Sequence, residues 1–495
     1  MQQLFPGRQM PIAIALLLTA LALLTRCYGI GQWDVIYDEY FTVTYASERW
    51  LSRTPAYYGL VVLSYKIFGV SEFAARLPAL IFGVAAVPVF FWTWRAEIGE
   101  KAAAFGAILI VFSAWHLWYS QFSRYYSALF LLGSLCYYLY LKALRTDSAR
   151  GLFLSLGVGI VAVLFHASAA IALASCAVFS AALFLSPRLR GDAFSLRIVR
   201  LHLLVSAIGL AIAVPVFLWM LGDMNAYQQF WGYGPAGALL QFAKWMQLPI
   251  ATSAAVGIVY LLIRRWRLGV FVALSLGFSM LAYLVGAAVT TVRPDYIFAS
   301  IPLVFVAAGY LCRAVQKALY DALEATGNTS SPRIRQAFRH LASQAMLIVI
   351  VLSLMPEFVS YFTGRATLHM RQPAQFVERV FEPGDRVLPL VNLYNSFHDY
   401  TEQALPREPL LGDPLDATVD WPQKMATYQA SPNCVWIVLP IRRQPLADSL
   451  ERWLLSNARL VWRRTSQRFD YKVEGYQVFV AAADAAACVQ RAAAR

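Results

Sequence analysis

Residues 151–185 read GLFLSLGVGIVAVLFHASAAIALASCAVFSAALFL, a run of 35 positions without one Asp, Glu, Lys or Arg. A helix crosses a bilayer with about 20 apolar residues. The run is therefore predicted to hold two spans, 151–165 and 167–185, turning at Leu164-Phe165-His166-Ala167-Ser168. Outward from it, comparable apolar stretches recur near 11–30, 74–94, 102–119, 125–144, 201–221, 248–263, 268–289, 297–311 and 341–360. The reading is a mainly α, polytopic membrane protein of about eleven transmembrane helices. Composition agrees: of 495 residues 59% are hydrophobic and 14% charged, with mean hydropathy +0.53, whereas soluble chains carry roughly 25% charged residues.

The formal net charge of +14 has a topological explanation. With the N-terminus in the cytoplasm, segments on that side hold 18 Lys and Arg against 8 on the other before the last span, as the positive-inside rule requires. The basic excess then gives no reason to expect nucleic acid as a partner. An odd number of spans places residues 361–495 outside the cytoplasm, and the expected location is the cytoplasmic (inner) membrane.

The chain divides into a transmembrane part, 1–360, and a C-terminal part, 361–495. In the latter, short β-rich runs at 386–391, 434–440, 459–464 and 475–481 alternate with helix-like stretches at 373–382, 395–404 and 445–456. This predicts a small extracytoplasmic α/β domain. Cys434 and Cys488 alone lie beyond the last span. A disulfide there, or a buried thiol with a frayed tail, both remain open. The six cysteines are scattered, without zinc-ribbon or redox-pair spacing.

Residues 31–73 form the most informative loop. Asp34, Asp38 and Glu39 follow the first span among Trp33, Tyr37, Tyr40 and Phe41. Carboxylates so near hydrocarbon are costly and favour a function. Asp34 reads more simply as a solvated or helix-capping residue, Asp38 as a chemical one. The loop continues through two short amphipathic helices suited to the membrane interface. Past the third span come His116 and Arg124-Tyr125-Tyr126. A planar guanidinium among aromatics suits bidentate capture of phosphate; snorkelling to headgroups is the plainer alternative. For His116 the plainer reading, a hydrogen-bonded interfacial histidine, is preferred. His166 and Arg293-Pro294-Asp295-Tyr296 reach the same outer level.

Asp38-Glu39, Pro55-Ala56-Tyr57-Tyr58, Phe68 to Pro78, His116-Leu117-Trp118-Tyr119 with Arg124-Tyr125, and Arg293 to Pro302 together resemble the C-type, family-39-like glycosyltransferases. These include protein O-mannosyltransferases and lipid A aminoarabinose transferases. The resemblance is strong over 33–145, thinner at 166 and 290–303, and architectural in the C-terminal domain. It implies an enzyme that transfers a hexose or pentose, with inversion, from a polyprenyl-phosphate donor at the outer membrane face. Cell-envelope glycan, lipid A modification and protein glycosylation are the implied settings. The acceptor is left as a lipid, glycan or protein.

Residue by residue, the resemblance makes Asp38 catalytic with Glu39 beside it. It puts Arg124, Tyr125, Arg293, His166, Tyr57, Tyr58, Arg53, His116 and Tyr296 around the donor phosphate and sugar. The family often has His-Pro-Pro where this chain has Arg53-Thr54-Pro55, and Glu-Ala-Arg where it has Phe122-Ser123-Arg124. No metal ligand set is assigned, and use of a divalent cation is left open. Two other classes remain. A flippase or transporter would show inverted repeats and midplane charges, whereas the charges here collect at the outer level. A polyprenyl-linked glycan ligase or polymerase would carry a long outer loop in its second half, and residues 223–247 are the longest before the final domain.

Overall fold

The structure is a computed structural model and describes residues 9–35, 39, 42–43, 46, 54–224, 234–289, 292–325, 332–367, 371–390, 419–441, 447–467 and 473–494. The chain separates into two compact units, residues 1–30 with 46–356 and residues 31–45 with 357–495. The loop that follows the first apolar stretch thus begins in the second unit.

In the first unit the helices are α1 (Gln9–Cys27), α2 (Pro55–Phe68), α3 (Glu72–Ile98), α4 (Glu100–Phe112), α5 (Ala114–Ser120), α6 (Tyr126–Arg145), α7 (Ala149–Phe165) and α8 (Ala170–Leu185). They continue with α9 (Leu196–Met224), α10 (Gly234–Met246), α11 (Leu248–Arg264), α12 (Trp266–Val289), α13 (Pro302–Ala325) and α14 (Pro332–Thr367), whose last turns enter the second unit. Each apolar stretch read from the sequence overlaps at least one of them. Among the described residues, six helices are long and apolar enough to cross a membrane by length and composition, or up to eight if each of two bent pairs counts as one span. The protein is an integral membrane protein.

Two of the expected spans differ in a way that matters. The stretch 102–119 is broken at Ser113, where α4 and α5 meet at 65°. The stretch at 297–311 begins as a 3-10 run, Pro294–Ser300, before α13. A second sharp break, 102°, lies at Gln247 between α10 and α11, where the backbone takes φ +62°.

Helices in lipid gain little from hydrophobic burial against each other, so close approach and polar contacts hold them. Gly309 of α13 sits where a Cβ would lie 2.4 Å from Ala102 O of α4, and Gly257 of α11 where one would lie 2.2 Å from Ala307 O. Ser123 and Ser127 donate to Ala75 O and Ala79 O of α3, and Trp94 Nε1 donates to Ser134 Oγ. An ion pair joins Glu97 to Arg145.

The second unit contains α15 (Arg371–Val380), β1 (Arg386–Pro389), α16 (Trp421–Gln429), β2 (Val435–Ile441), α17 (Asp448–Asn457), β3 (Arg459–Gln467), β4 (Val473–Ala481) and α18 (Ala485–Ala494). The sheet order is β1-β2-β4-β3, with β1 parallel to β2 and the other pairs antiparallel. Strand β2 is apolar throughout because both its faces are covered. Trp436 and Val438 pack with Phe376 and Val377 of α15, and Val435, Ile437 and Leu439 with Trp421 and Leu450 on the opposite side. All four expected strands are present; the expected helix at 395–404 lies outside the described residues. Asp34 is buried and caps a helix other than its neighbour in sequence: its Oδ2 accepts the Arg371 N–H of α15 at 2.7 Å.

Cys434 and Cys488 are joined in a disulfide closing a separation of 54 residues, which takes one of the two readings left open above. In the chain-entropy description, closure of such a loop stabilises the folded domain by about 4 kcal/mol. Reduction is therefore expected to lower the urea midpoint of the C-terminal domain. Mass spectrometry of the non-reduced protein is expected to recover one cross-linked peptide pair; two separately alkylated cysteines would contradict it.

Candidate active site

The site is assembled within the first unit, and two helix breaks fix its geometry. Where α4 ends, its last carbonyls lack intrahelical partners. The buried Arg26 guanidinium supplies them, donating to Ile110 O at 2.9 Å and Val111 O at 3.4 Å. At the start of α5, Ala114 N–H donates to Gln247 Oε1 at 2.9 Å, so the two breaks brace each other. Gln121 Nε2 caps α1 by donating to Arg26 O and Tyr28 O at 2.7 and 2.9 Å. Trp115 and Tyr119 of α5 lie 5.7 and 6.0 Å from the Trp245 ring.

Beyond α5 the chain turns through residues 121–125. Ser123 is pinned to Ala75 O, and Tyr57 of α2 donates to its Oγ at 3.5 Å. This places the Arg124 guanidinium 5.1 Å from the Tyr125 ring centroid. Tyr57 meets Tyr125 edge to face at 6.3 Å.

His166 ends α7. Its ring stacks on Tyr125 at 4.3 Å with an interplanar angle of 13°, and Tyr296 lies 5.4 Å away on the 3-10 run. His166 Nδ1 lies 2.8 Å from Ser168 Oγ and 3.3 Å from Ser168 N. Burial first, then the Arg124 charge, push this imidazole down to about 3, with Asp295 opposing and Arg293 adding to the shift. His166 is therefore neutral at physiological pH, a hydrogen-bonding and stacking group rather than a third cation.

Arg293 is held by a carboxylate. Its Nη2 lies 2.9 Å from Asp295 Oδ2 and its Nε donates to Oδ1 at 3.2 Å. The Tyr119 hydroxyl donates to the same Oδ2 at 2.9 Å, and Arg293 Nη2 donates to that hydroxyl at 3.4 Å. Asp295 is 1% exposed, while the Arg293 side chain keeps 36% of its surface open. The arrangement offers two guanidinium groups, one charge-compensated and oriented, beside an aromatic shelf of Tyr125, His166 and Tyr296. Such a set can take a singly or doubly charged phosphate with apolar or sugar surface against the rings.

Of the residues singled out from the sequence, Arg124, Tyr125, His166, Arg293, Tyr296 and Tyr57 come together here. Tyr58 is buried within α2. His116 lies in the interior: Arg26 Nη2 donates to its Nδ1 at 3.0 Å and Phe130 meets its ring edge to face at 4.6 Å. Glu39 is buried, in the second unit. Asp38 and Arg53 lie outside the described residues. Among the described residues no group of three or more His, Cys, Asp or Glu is placed to hold a metal ion. Sequence reasoning gave no separate role to Asp295, Tyr119 or Arg26. A carboxylate two positions after Arg293 was visible, but its burial and its tyrosine partner were not.

The family described as Dolichyl-phosphate-mannose-protein mannosyltransferase matches residues 52–219. No curated protein matches the sequence. Among solved structures, ArnT from Cupriavidus metallidurans in the apo state is similar with a TM-score of 0.51 at 15% identity, over 94% of this chain and 97% of that one. The same protein bound to undecaprenyl phosphate is similar at 0.51 and 14%, over 95% and 98%. The archaeal oligosaccharyltransferase AglB from Archaeoglobus fulgidus gives 0.44 at 13%, over 80% of this chain and 60% of that one. The resemblance read from the sequence is borne out: over nearly its whole length the chain has the C-type glycosyltransferase fold found in ArnT.

Proposed function

We propose that this protein is an inverting glycosyltransferase that moves a sugar from a polyprenyl-phosphate donor to a lipid, glycan or protein acceptor at the outer face of the cytoplasmic membrane. The observation that carries the reading is the convergence of Arg124 and Arg293 on one aromatic shelf around a neutral His166. The undecaprenyl phosphate bound by a protein of the same fold supports the choice of donor. In an inverting displacement the acceptor oxygen attacks the anomeric carbon as the bond to phosphate breaks. The two guanidinium groups stabilise the charge gathering on the leaving phosphate. That phosphate is a good leaving group, so no general acid is needed. Asp38, by family resemblance, takes the acceptor proton or organises charge beside it.

The orientation follows the basic-residue asymmetry, with the N-terminus cytoplasmic and the C-terminal domain outside. A disulfide in that domain suits an oxidising compartment. The direct test incubates purified full-length protein with a panel of polyprenyl-phosphate sugars and lipid, glycan and protein acceptors, following release of the free lipid phosphate. Release dependent on both substrates is the expected result. Absence of release across the panel, with intact donor binding, would turn the reading toward transport.

A further inference from the structure

The 3-10 run Pro294–Ser300 presents Arg293, Asp295 and Tyr296 to the site, yet runs of this type longer than three or four residues are uncommon because their hydrogen bonds are poorly aligned. Its own N-cap, Arg293, makes no side-chain capping bond. The run must therefore be held from outside. At its inner end the buried Ser300 hydroxyl lies 2.8 Å from Tyr137 Oη of α6 and accepts from Ser279 Oγ of α12 at 2.8 Å. Tyr137 Oη also lies 2.9 Å from Ser175 Oγ of α8. Three helices thus send a hydroxyl to one small network in an apolar bundle, where unsatisfied polar groups are costly. Helix α6 comes close enough at Gly133 that a Cβ there would lie 2.0 Å from Ala299 O.

We propose that Tyr137, Ser279 and Ser300 are positioning residues for Arg293, acting through the winding of the 3-10 run; this rests on the reading of Arg293 as a donor-phosphate ligand. The network lies roughly 10 Å along the run from Asp295, given a rise of about 2.0 Å per residue, so it does not touch substrate. Its leverage is rotational. A 3-10 turn advances each residue by about 120° and an α turn by about 100°, so rewinding the stretch from Ser300 back to Asp295, which holds Arg293, rotates that end by roughly 100° about the axis. The bonds to Ser300, with α6 pressed against Ala299, oppose that rewinding, which would otherwise extend α13 backward.

The test measures binding of undecaprenyl phosphate to the full-length protein in nanodiscs, with the thermal transition of each variant recorded alongside. R293A is expected to weaken binding about 10- to 100-fold, as for a lost charge-assisted contact. S300A and Y137F are expected to weaken it about three- to tenfold, the scale of one neutral buried hydrogen bond. The R293A/S300A double variant is expected to bind no more weakly than R293A alone, since the hydroxyl acts only through that guanidinium. Losses that add in the double variant, or unchanged affinity in both S300A and Y137F, would overturn the positioning role. If S300A does not fold, S279A carries the same cycle. Wild-type binding by R293A itself would instead remove the reading of the site.

Discussion

Asp38→Asn is expected to abolish sugar transfer while the protein still inserts, folds and binds donor. Asparagine keeps the shape of the side chain but can neither accept a proton nor carry charge. Loss of a positioned general base costs about 100- to 10,000-fold in rate, which places residual turnover near background. The check is single-turnover release of lipid phosphate beside a donor-binding titration. Wild-type turnover in this variant removes Asp38 from the mechanism. Asp34→Asn is the internal contrast. Asp34 is a buried cap whose Oδ2 accepts the Arg371 N–H, and an amide oxygen can accept the same bond, so transfer is expected to stay close to wild type.

The second large effect concerns the two arginines. Charge-assisted hydrogen bonds contribute about 1.5–3 kcal/mol each, so Arg124→Ala and Arg293→Ala are each expected to weaken donor binding by roughly one to two orders of magnitude. Lysine at either position restores only part of this, because an ammonium lacks the planar fork. The two sites differ in their supports. Arg293 is oriented by Asp295 and Tyr119, whereas Arg124 lies 5.1 Å from the Tyr125 ring centroid. Tyr125→Ala should therefore weaken donor binding as well, through loss of the shelf shared with His166. Titration with polyprenyl phosphate and, separately, with acceptor decides. Unchanged donor affinity with weakened acceptor binding would assign these arginines to the acceptor instead.

The helical stretches were legible because lipid imposes a local rule: a span must be a long apolar run whatever it packs against, and residues 151–185 state this without ambiguity. The strands of the C-terminal domain were legible for a related reason, since a strand covered on both faces reads as Val435-Trp436-Ile437-Val438-Leu439. Arg124 and Arg293 stood out because aromatic residues accompany them, Tyr125 and Tyr126 beside one and Tyr296 beside the other.

What the chain's own pattern left undecided is everything that depends on distant partners. His116 and His166 look alike in sequence; one accepts from Arg26, 90 positions away, and the other stacks on Tyr125. The break at Ser113 carries neither proline nor glycine, and its support comes from Gln247, 133 positions from the N–H it accepts. Asp295 and Tyr119 meet across 176 positions, and Asp34 caps a helix 337 positions later. Hydropathy and periodicity record the solvent each segment prefers, so the sequence by itself determined the class of fold and where its apolar helices lie. Which polar groups become neighbours was decided only by tertiary structure, because a buried polar group's partner is set by packing between helices rather than by spacing along one.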